Sequence, residues 1–217
     1  MSIQQAYNSW ASQYDSNDNK TRDLEAFALR ETLSPIAFDN CLEIGCGTGK
    51  NTVWLIEKAK QVTAVDLSEE MMAKAKLKAG SANVQFKQAD ITAPWTFGEA
   101  QYDLVSFSLV LEHIENLDPV FKETAAALKP GGHVYIGELH PFKQYAGSKA
   151  RFETEQGVQV VDCFNHHISD FTRAANQCGL VVESVNEYFD NNDRKELPRL
   201  LVLLLIKGNL NNSFNDH

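Results

Sequence analysis

Asp39-Asn40-Cys41-Leu42-Glu43-Ile44-Gly45-Cys46-Gly47-Thr48-Gly49-Lys50-Asn51-Thr52 is the stretch that decides the fold of this 217-residue chain. Cys41 to Ile44 is an apolar run that reads as a buried strand. Gly45, Gly47 and Gly49 follow at alternate positions, and Asn51-Thr52 leads into a helical pattern. Strand, glycine turn and helix begin a nucleotide-binding α/β unit, because residues without a Cβ let the backbone turn tightly and come close to a ligand. The same spacing also serves as a plain tight turn, so the segments around it decide between the two.

Downstream, strand and helix patterns alternate. Strands are expected at 40–44, 61–65, 83–88, 102–107, 133–139, 179–187 and 200–206, and helices near 50–59, 69–79, 116–128 and 166–178. Such alternation predicts an α/β fold: a Rossmann-like, doubly wound, seven-stranded, mostly parallel sheet with helices on both faces. The polar segment 188–199 separates the last two strands without a helix, which predicts an antiparallel pair at one sheet edge. Pro130-Gly131-Gly132 reads as a turn before the fifth strand. Residues 140–164 interrupt the alternation. Arg151-Phe152-Glu153-Thr154 and Val158-Gln159-Val160-Val161 flank Glu155-Gln156-Gly157, which reads as a small β-hairpin inserted after strand five. Upstream, Tyr7, Trp10, Ala11 and Tyr14 recur as one helix face would, and 21–34 is helical again. Residues 1–34 are either two helices packed on the sheet or a helical lid over a ligand. A single domain over 1–208 with a frayed polar tail, 209–217, accounts for the length.

Composition narrows the function. The formal net charge is −9, which disfavours a nucleic-acid substrate. Cys41, Cys46, Cys163 and Cys178 form no CxxC pair, so no metal is expected. With a polar start, Ser2-Ile3-Gln4-Gln5, this fits reduced thiols in a cytoplasm. The longest apolar run, Leu200 to Ile206, is far too short to span a bilayer.

The chemistry sits at strand ends. Asp66 closes Val62-Thr63-Ala64-Val65, about 20 residues past the glycines, where a carboxylate accepts from both ribose hydroxyls. It could instead cap the helix opening at Ser68-Glu69-Glu70. Asp90 ends the next strand, where it could accept from an adenine amino group or cap a helix. Lys50 stands where a dinucleotide fingerprint needs its third glycine, and no GKS or GKT follows. A nucleoside without a pyrophosphate fits best.

Six segments then resemble the class I S-adenosylmethionine-dependent methyltransferases, above all the small-molecule, quinone C-methyltransferase-like group. They are Leu42 to Gly49, Ala64 to Ser68, Gln88 to Ile91, Tyr102 to Val105, Leu109 to Ile114 and Leu128 to Gly132. Tyr7 to Asp15 resembles the family's lid helix. The resemblance implies S-adenosylmethionine as cofactor, S-adenosylhomocysteine as product and a small-molecule acceptor. It places Glu43 and the backbone of Gly45 and Gly47 on the methionine part, and counts Cys46 and Gly49 of the same turn among the cofactor-binding residues. It places Asp66 on the ribose, Asp90 and the Ile91 backbone on the adenine, and Leu67 and Met71 on the adenine face. Ser108 would lie beside the amino group and sulfonium, and Tyr14 would close the site.

An activated methyl needs alignment more than chemistry, and proximity supplies up to roughly 7–11 kcal/mol in ideal intramolecular cases. Where the nucleophile carries a proton, His140, His166 and His167 are the expected bases, with His113 behind them; each has a structural alternative. Lys143, Lys149 and Arg151 either select an anionic substrate or form a solvated face. Tyr145 and Phe152 could wall an apolar pocket. The competing readings are a tRNA wobble carboxyl methyltransferase and a cofactor-binding module without turnover. Exocyclic base-amine transfer is disfavoured, because Ser106-Phe107-Ser108-Leu109 contains no proline. An NAD dehydrogenase ranks below these.

Overall fold

The computed structural model describes residues 2–16, 19–80, 83–97, 101–148, 151–154, 157–161 and 163–208, and between 151 and 160 the backbone alone. The tail from 209 and Glu155-Gln156 lie outside these residues, as do Lys149 and the side chains of Arg151 and Phe152.

Two helices come first, α1 (Ile3–Trp10) and α2 (Lys20–Leu33). The alternating part runs β1 (Asn40–Ile44), α3 (Thr52–Lys58), β2 (Gln61–Asp66), α4 (Glu69–Ala79), β3 (Val84–Gln88), β4 (Tyr102–Ser108), α5 (Leu117–Ala127) and β5 (Leu128–Leu139). After α6 (Pro141–Tyr145) and the hairpin strands β6 (Arg151–Thr154) and β7 (Gly157–Val160) come α7 (Ile168–Gln177), β8 (Leu180–Tyr188) and β9 (Leu200–Lys207).

The sheet order is β3-β2-β1-β4-β5-β9-β8. The pairs from β3 to β5 are parallel, and β9 runs antiparallel to both β5 and β8. Six strands are therefore parallel and one is reversed. Strand order turns back between β1 and β4, which opens a crevice at their carboxyl ends. β9 shows why its sequence is apolar throughout. Leu201, Leu203 and Leu205 pack into the core beside α5 and α7. Leu200, Val202 and Leu204 pack on the other face, with Ala28, Leu29 and Leu33 of α2. A strand covered on both faces loses the polar alternation of a half-exposed one.

Three local expectations change. α1 stops at Trp10, so Tyr14 stands on the turns that follow it, not on the helix. Pro130-Gly131-Gly132 lies inside β5 as a bulge, where the register shifts between Tyr102 and Leu104 and Gly131 takes φ +76°. The short helix α6, absent from the sequence reading, begins directly after β5.

Candidate functional site

The glycine turn leaves β1 and doubles back over the end of β2. Gly45 and Cys46 both donate their N–H to the Val65 carbonyl, at 2.8 and 3.0 Å. Gly47 donates to Asp66 Oδ2 at 2.7 Å, while Oδ1 of Asp66 accepts from Ser68 N at 2.8 Å. Asp66 thus fixes the glycine turn and lines the crevice, while the cap of α4 is Ser68, whose Oγ accepts from Met71 N at 3.2 Å. Burial raises the Asp66 pKa, and the backbone donors pull the other way.

Gly49 shows why the turn needs glycine. Its φ is +84°, and a Cβ there would lie 2.9 Å from Ala75 Cα on α4. The clash is with backbone, which cannot rotate aside. Gly49→Ala is expected to destabilise the protein by about 2–5 kcal/mol, from left-handed strain and overpacking together. Urea unfolding measures it; an unchanged midpoint would mean that α4 moves freely.

The crevice holds a cavity of about 330 Å³. Its walls bring together nine of the residues expected to touch a cofactor: Gly45 and Gly47, Asp66, Leu67 and Met71, Asp90 and Ile91, Ser108, and Tyr14 above. Asp90 Oδ1 accepts from the backbone and hydroxyl of Thr92, at 2.9 and 2.7 Å. Three expected residues lie elsewhere. Glu43 sits behind the turn, where its Oε2 accepts from Thr52 Oγ1 at 2.6 Å, and burial pushes its pKa up to about 8. Gly49 is packed on α4. Cys46 packs its side chain with Ala64 and Met72, where burial raises its thiol pKa, and it lines a smaller adjoining cavity instead.

A smaller cavity of about 60 Å³ continues from the first past Gly45, Gly47 and Ser108 to Glu25, Arg22 and Asn51. Sequence reasoning missed these three: Arg22 and Glu25 lie on α2, which carries no motif of its own, and Asn51 was read only as the lead into α3. Glu25 is buried; its carboxylate accepts from Asn51 Nδ2 at 2.8 Å and from Tyr135 OH at 3.1 Å. Asn51 Nδ2 also reaches Ser108 Oγ at 3.2 Å, whereas Asn51 Oδ1 is buried with no hydrogen-bond partner. A carboxylate beside an unsatisfied carbonyl is acceptor chemistry, suited to an ammonium group. Arg22 donates to the Tyr14 carbonyl and stacks over the Tyr14 ring at 4.0 Å.

A third cavity, of about 590 Å³, shares Tyr7, Tyr14 and Leu109 with the first. Tyr14 and Leu109 wall all three. Leu109 has φ +56°, a costly conformation for a leucine, held by its N–H to the Gly137 carbonyl at 2.8 Å. Such strain gathers at functional sites. The α1 segment forms the roof. Gln4 Nε2 donates to the Leu67 carbonyl, Ser68 Oγ to Asn8 Oδ1 and Thr48 Oγ1 to Asp15 Oδ1.

The histidines redistribute. None of His140, His166 and His167 lines these cavities. His140 is fully buried; its Nε2 meets Glu187 at 3.0 Å and its Nδ1 accepts from Phe142 N as the cap of α6. Burial lowers its pKa against the pull of Glu187. Pro141 in the first turn of α6 was the available signal, since a polar residue before proline is a helix start. His166 Nε2 meets the Ile114 carbonyl at 2.7 Å, and exposed His167 caps α7 and bonds Tyr145 OH. His113, ranked last in sequence, is the one in the cofactor-side wall. Its Nε2 lies 2.7 Å from Tyr7 OH, and Tyr7 walls both larger cavities. Burial, then Tyr14 and Glu112, raise the Tyr7 pKa well above its ordinary value. The fold also gathers Glu112, His113 and Cys163, with one potential ligand atom from each within 4.8 Å of the others, a grouping the cysteine spacing did not show.

Glu138 supports this wall from below. Its Oε1 accepts from Val110 N and Leu111 N at 3.0 and 2.8 Å, and its Oε2 is buried without a partner. Burial, then Glu112, push its pKa up to about 8, whereas an unfolded glutamate titrates near about 4.3. Between those values the folded state keeps a proton that the unfolded state has lost, so stability falls as pH rises through the window. Glu138→Gln keeps the Oε1 acceptor and is expected to flatten part of that slope. Urea unfolding of cofactor-free protein at pH 5 and pH 8 tests this; equal slopes would exclude Glu138 as a contributor.

A reversed-order parallel sheet, a glycine turn and acids ending β2 and β3 are the layout of a Rossmann-like nucleoside-cofactor protein. The family model for a methyltransferase domain matches residues 42–136. An uncharacterized methyltransferase of Emericella nidulans is 26% identical over 92% of this chain and 83% of its own. A ubiquinone biosynthesis O-methyltransferase of Bordetella bronchiseptica is 29% identical over 52% of this chain; the match spans 47% of that relative, about half its length. The DhpI–SAH complex superposes with a TM-score of 0.75 at 27% identity, covering 94% of each chain. The comparisons and the fold together support a class I S-adenosylmethionine-dependent methyltransferase, with S-adenosylmethionine as its cofactor. Among the described residues no helix is long and apolar enough to cross a membrane.

Proposed function

We propose that the protein transfers the methyl group of S-adenosylmethionine to a small-molecule acceptor by direct displacement. The observation that carries this is the shared wall: Tyr7, Tyr14 and Leu109 separate the cofactor-side cavity from a second cavity large enough for a metabolite. The ubiquinone-pathway relative, an O-methyltransferase by name, supports a small acceptor. When bound, the cofactor supplies a methyl group already activated on a sulfonium.

The chain's residues supply binding, orientation and a proton path. Asp66 accepts from the ribose and Asp90 from the adenine, with Leu67 and Met71 against the ring. Glu25, Asn51 and Ser108 receive the amino group, the place earlier expected of Glu43. Tyr14, held by Arg22, covers the site and excludes water. Tyr7 and His113 take the acceptor's proton. The Tyr7 oxygen receives it from the nucleophile as the phenol passes its own proton to His113 Nε2. The positive charge that leaves the sulfonium thus ends on the imidazole, with Glu112 Oε1 3.9 Å away. Such assistance contributes about 10²–10⁴-fold.

The test is incubation with methyl-labelled S-adenosylmethionine and a metabolite extract, followed by mass identification of the labelled product. Label appearing in RNA instead would favour the tRNA reading. Tight S-adenosylhomocysteine binding with no labelled product from either source would favour a module without turnover.

A further inference from the structure

We propose that the 590 Å³ cavity contains an oxyanion subsite built by Arg199, Lys20 and Thr21, so that the methyl acceptor carries a carboxylate or phosphate-type group apart from its nucleophile. This rests on the proposed placement of the acceptor in that cavity.

The wall is cationic in a chain whose net charge is −9. Lys20, Arg22 and Arg199 line it, with Glu112 the acidic residue beside them. Arg199 is a built element, not a loose surface cation. It immediately precedes β9, donates its N–H to the Tyr188 carbonyl at 2.7 Å, and accepts from His140 N at 2.9 Å. Its Nε and Nη2 bond the two oxygens of Asp190, and its Nη1 donates to Thr21 Oγ1 at 3.1 Å. These contacts use three of the five guanidinium N–H donors, which leaves two. Thr21 accepts in its contact, so its own hydroxyl proton is left to donate. A guanidinium fixed on one side with donors left over is suited to a second oxyanion, because its planar fork loses little freedom on binding.

Asp190 offsets the Arg199 charge and no more. Its pKa is held low by Arg199 first, with Lys143 and Lys20 adding to the effect. Three cations therefore surround one carboxylate. Lys20 is exposed and opens α2, whose 14-residue dipole presents its positive end to the same cavity. The segments involved are far apart in sequence, with Thr21 and Arg199 separated by 178 in residue number. They differ from the insertion cations Lys149 and Arg151, which the sequence singled out.

Calorimetry on protein saturated with S-adenosylhomocysteine tests the proposal with three matched probes: benzoate, phenylphosphonate and benzamide. At least one anion is expected to bind about tenfold more tightly than benzamide, as charge-assisted bonds allow. Lys20→Gln, a change to an exposed side chain, and Arg199→Lys, which keeps the charge but loses the fork, are each expected to remove most of that preference. Added salt is expected to weaken the anion and spare benzamide. Preference for benzoate would indicate a carboxylate acceptor, and preference for phenylphosphonate a phosphate-type one. Equal binding of all three probes, no measurable anion binding at millimolar concentration, or a preference that survives both substitutions would overturn the subsite. Loss of S-adenosylhomocysteine binding itself, read in the same cell, would count against the methyltransferase site instead.

Discussion

Replacing His113 by alanine is expected to lower kcat about 10²–10⁴-fold while leaving S-adenosylhomocysteine affinity nearly unchanged. His113 is the histidine in the cofactor-side wall, and its Nε2 is 2.7 Å from a tyrosine that also faces the second cavity. Tyr7→Phe removes the hydroxyl that links the two and is expected to give a loss of the same order. The double variant should be little worse than either single one, because the pair acts as one unit. Multiplying losses would mean that the two residues act separately. Equal falls in kcat and cofactor affinity would reduce His113 to a wall residue. His140→Ala is expected to act differently. It removes the cap of α6 and leaves Glu187 without its buried partner, so the loss should appear in unfolding more than in turnover.

The second large effect is on cofactor binding. Asp66→Ala is expected to weaken S-adenosylmethionine binding by about 10²-fold, since two charge-assisted hydrogen bonds to the ribose are lost at about 1.5–3 kcal/mol each, partly offset by water. The same carboxylate holds Gly47 N and Ser68 N. The substitution therefore also loosens the glycine turn, and stability should drop with affinity. Asp66→Asn separates the two effects. It retains an acceptor for one backbone donor but loses the charge, so affinity should fall while the melting temperature moves less. Unchanged affinity in both variants would remove Asp66 from the site.

What the sequence made legible was local. β1, the glycine turn and Asp66 lie within one βαβ unit, so short-range pattern and position decide them. The strands and the reversed β9 followed from alternation and from the polar linker before it. Side-chain direction was not legible in the same way. His140 ends a strand, where a catalytic group is often displayed, yet the helix after Pro141 takes its Nδ1 as a cap. Glu43 sits two residues before the glycines, but the pleat turns it toward Thr52, behind the turn. Glu25, Arg22 and Arg199 reach the site only because α2 lies across β5 and β9, a contact between distant parts of the chain that no window of sequence contains.

The position of β9 bears on how the protein is made. Among the described strands β9 comes latest in the chain, yet it lies inside the sheet, between β5 and β8. Until it emerges, β5 offers the nascent chain an open hydrogen-bonding edge and β8 has nothing to pair with. At translation rates of about 5–20 residues per second, that edge waits for several seconds after β5 is complete. An unpaired apolar edge of this kind is where chains join one another wrongly. The cofactor-side half, from β3 to β5, can close during the wait. Arg199 and the wall it anchors arrive only with β9, so the 590 Å³ cavity is completed after the cofactor-side half of the sheet.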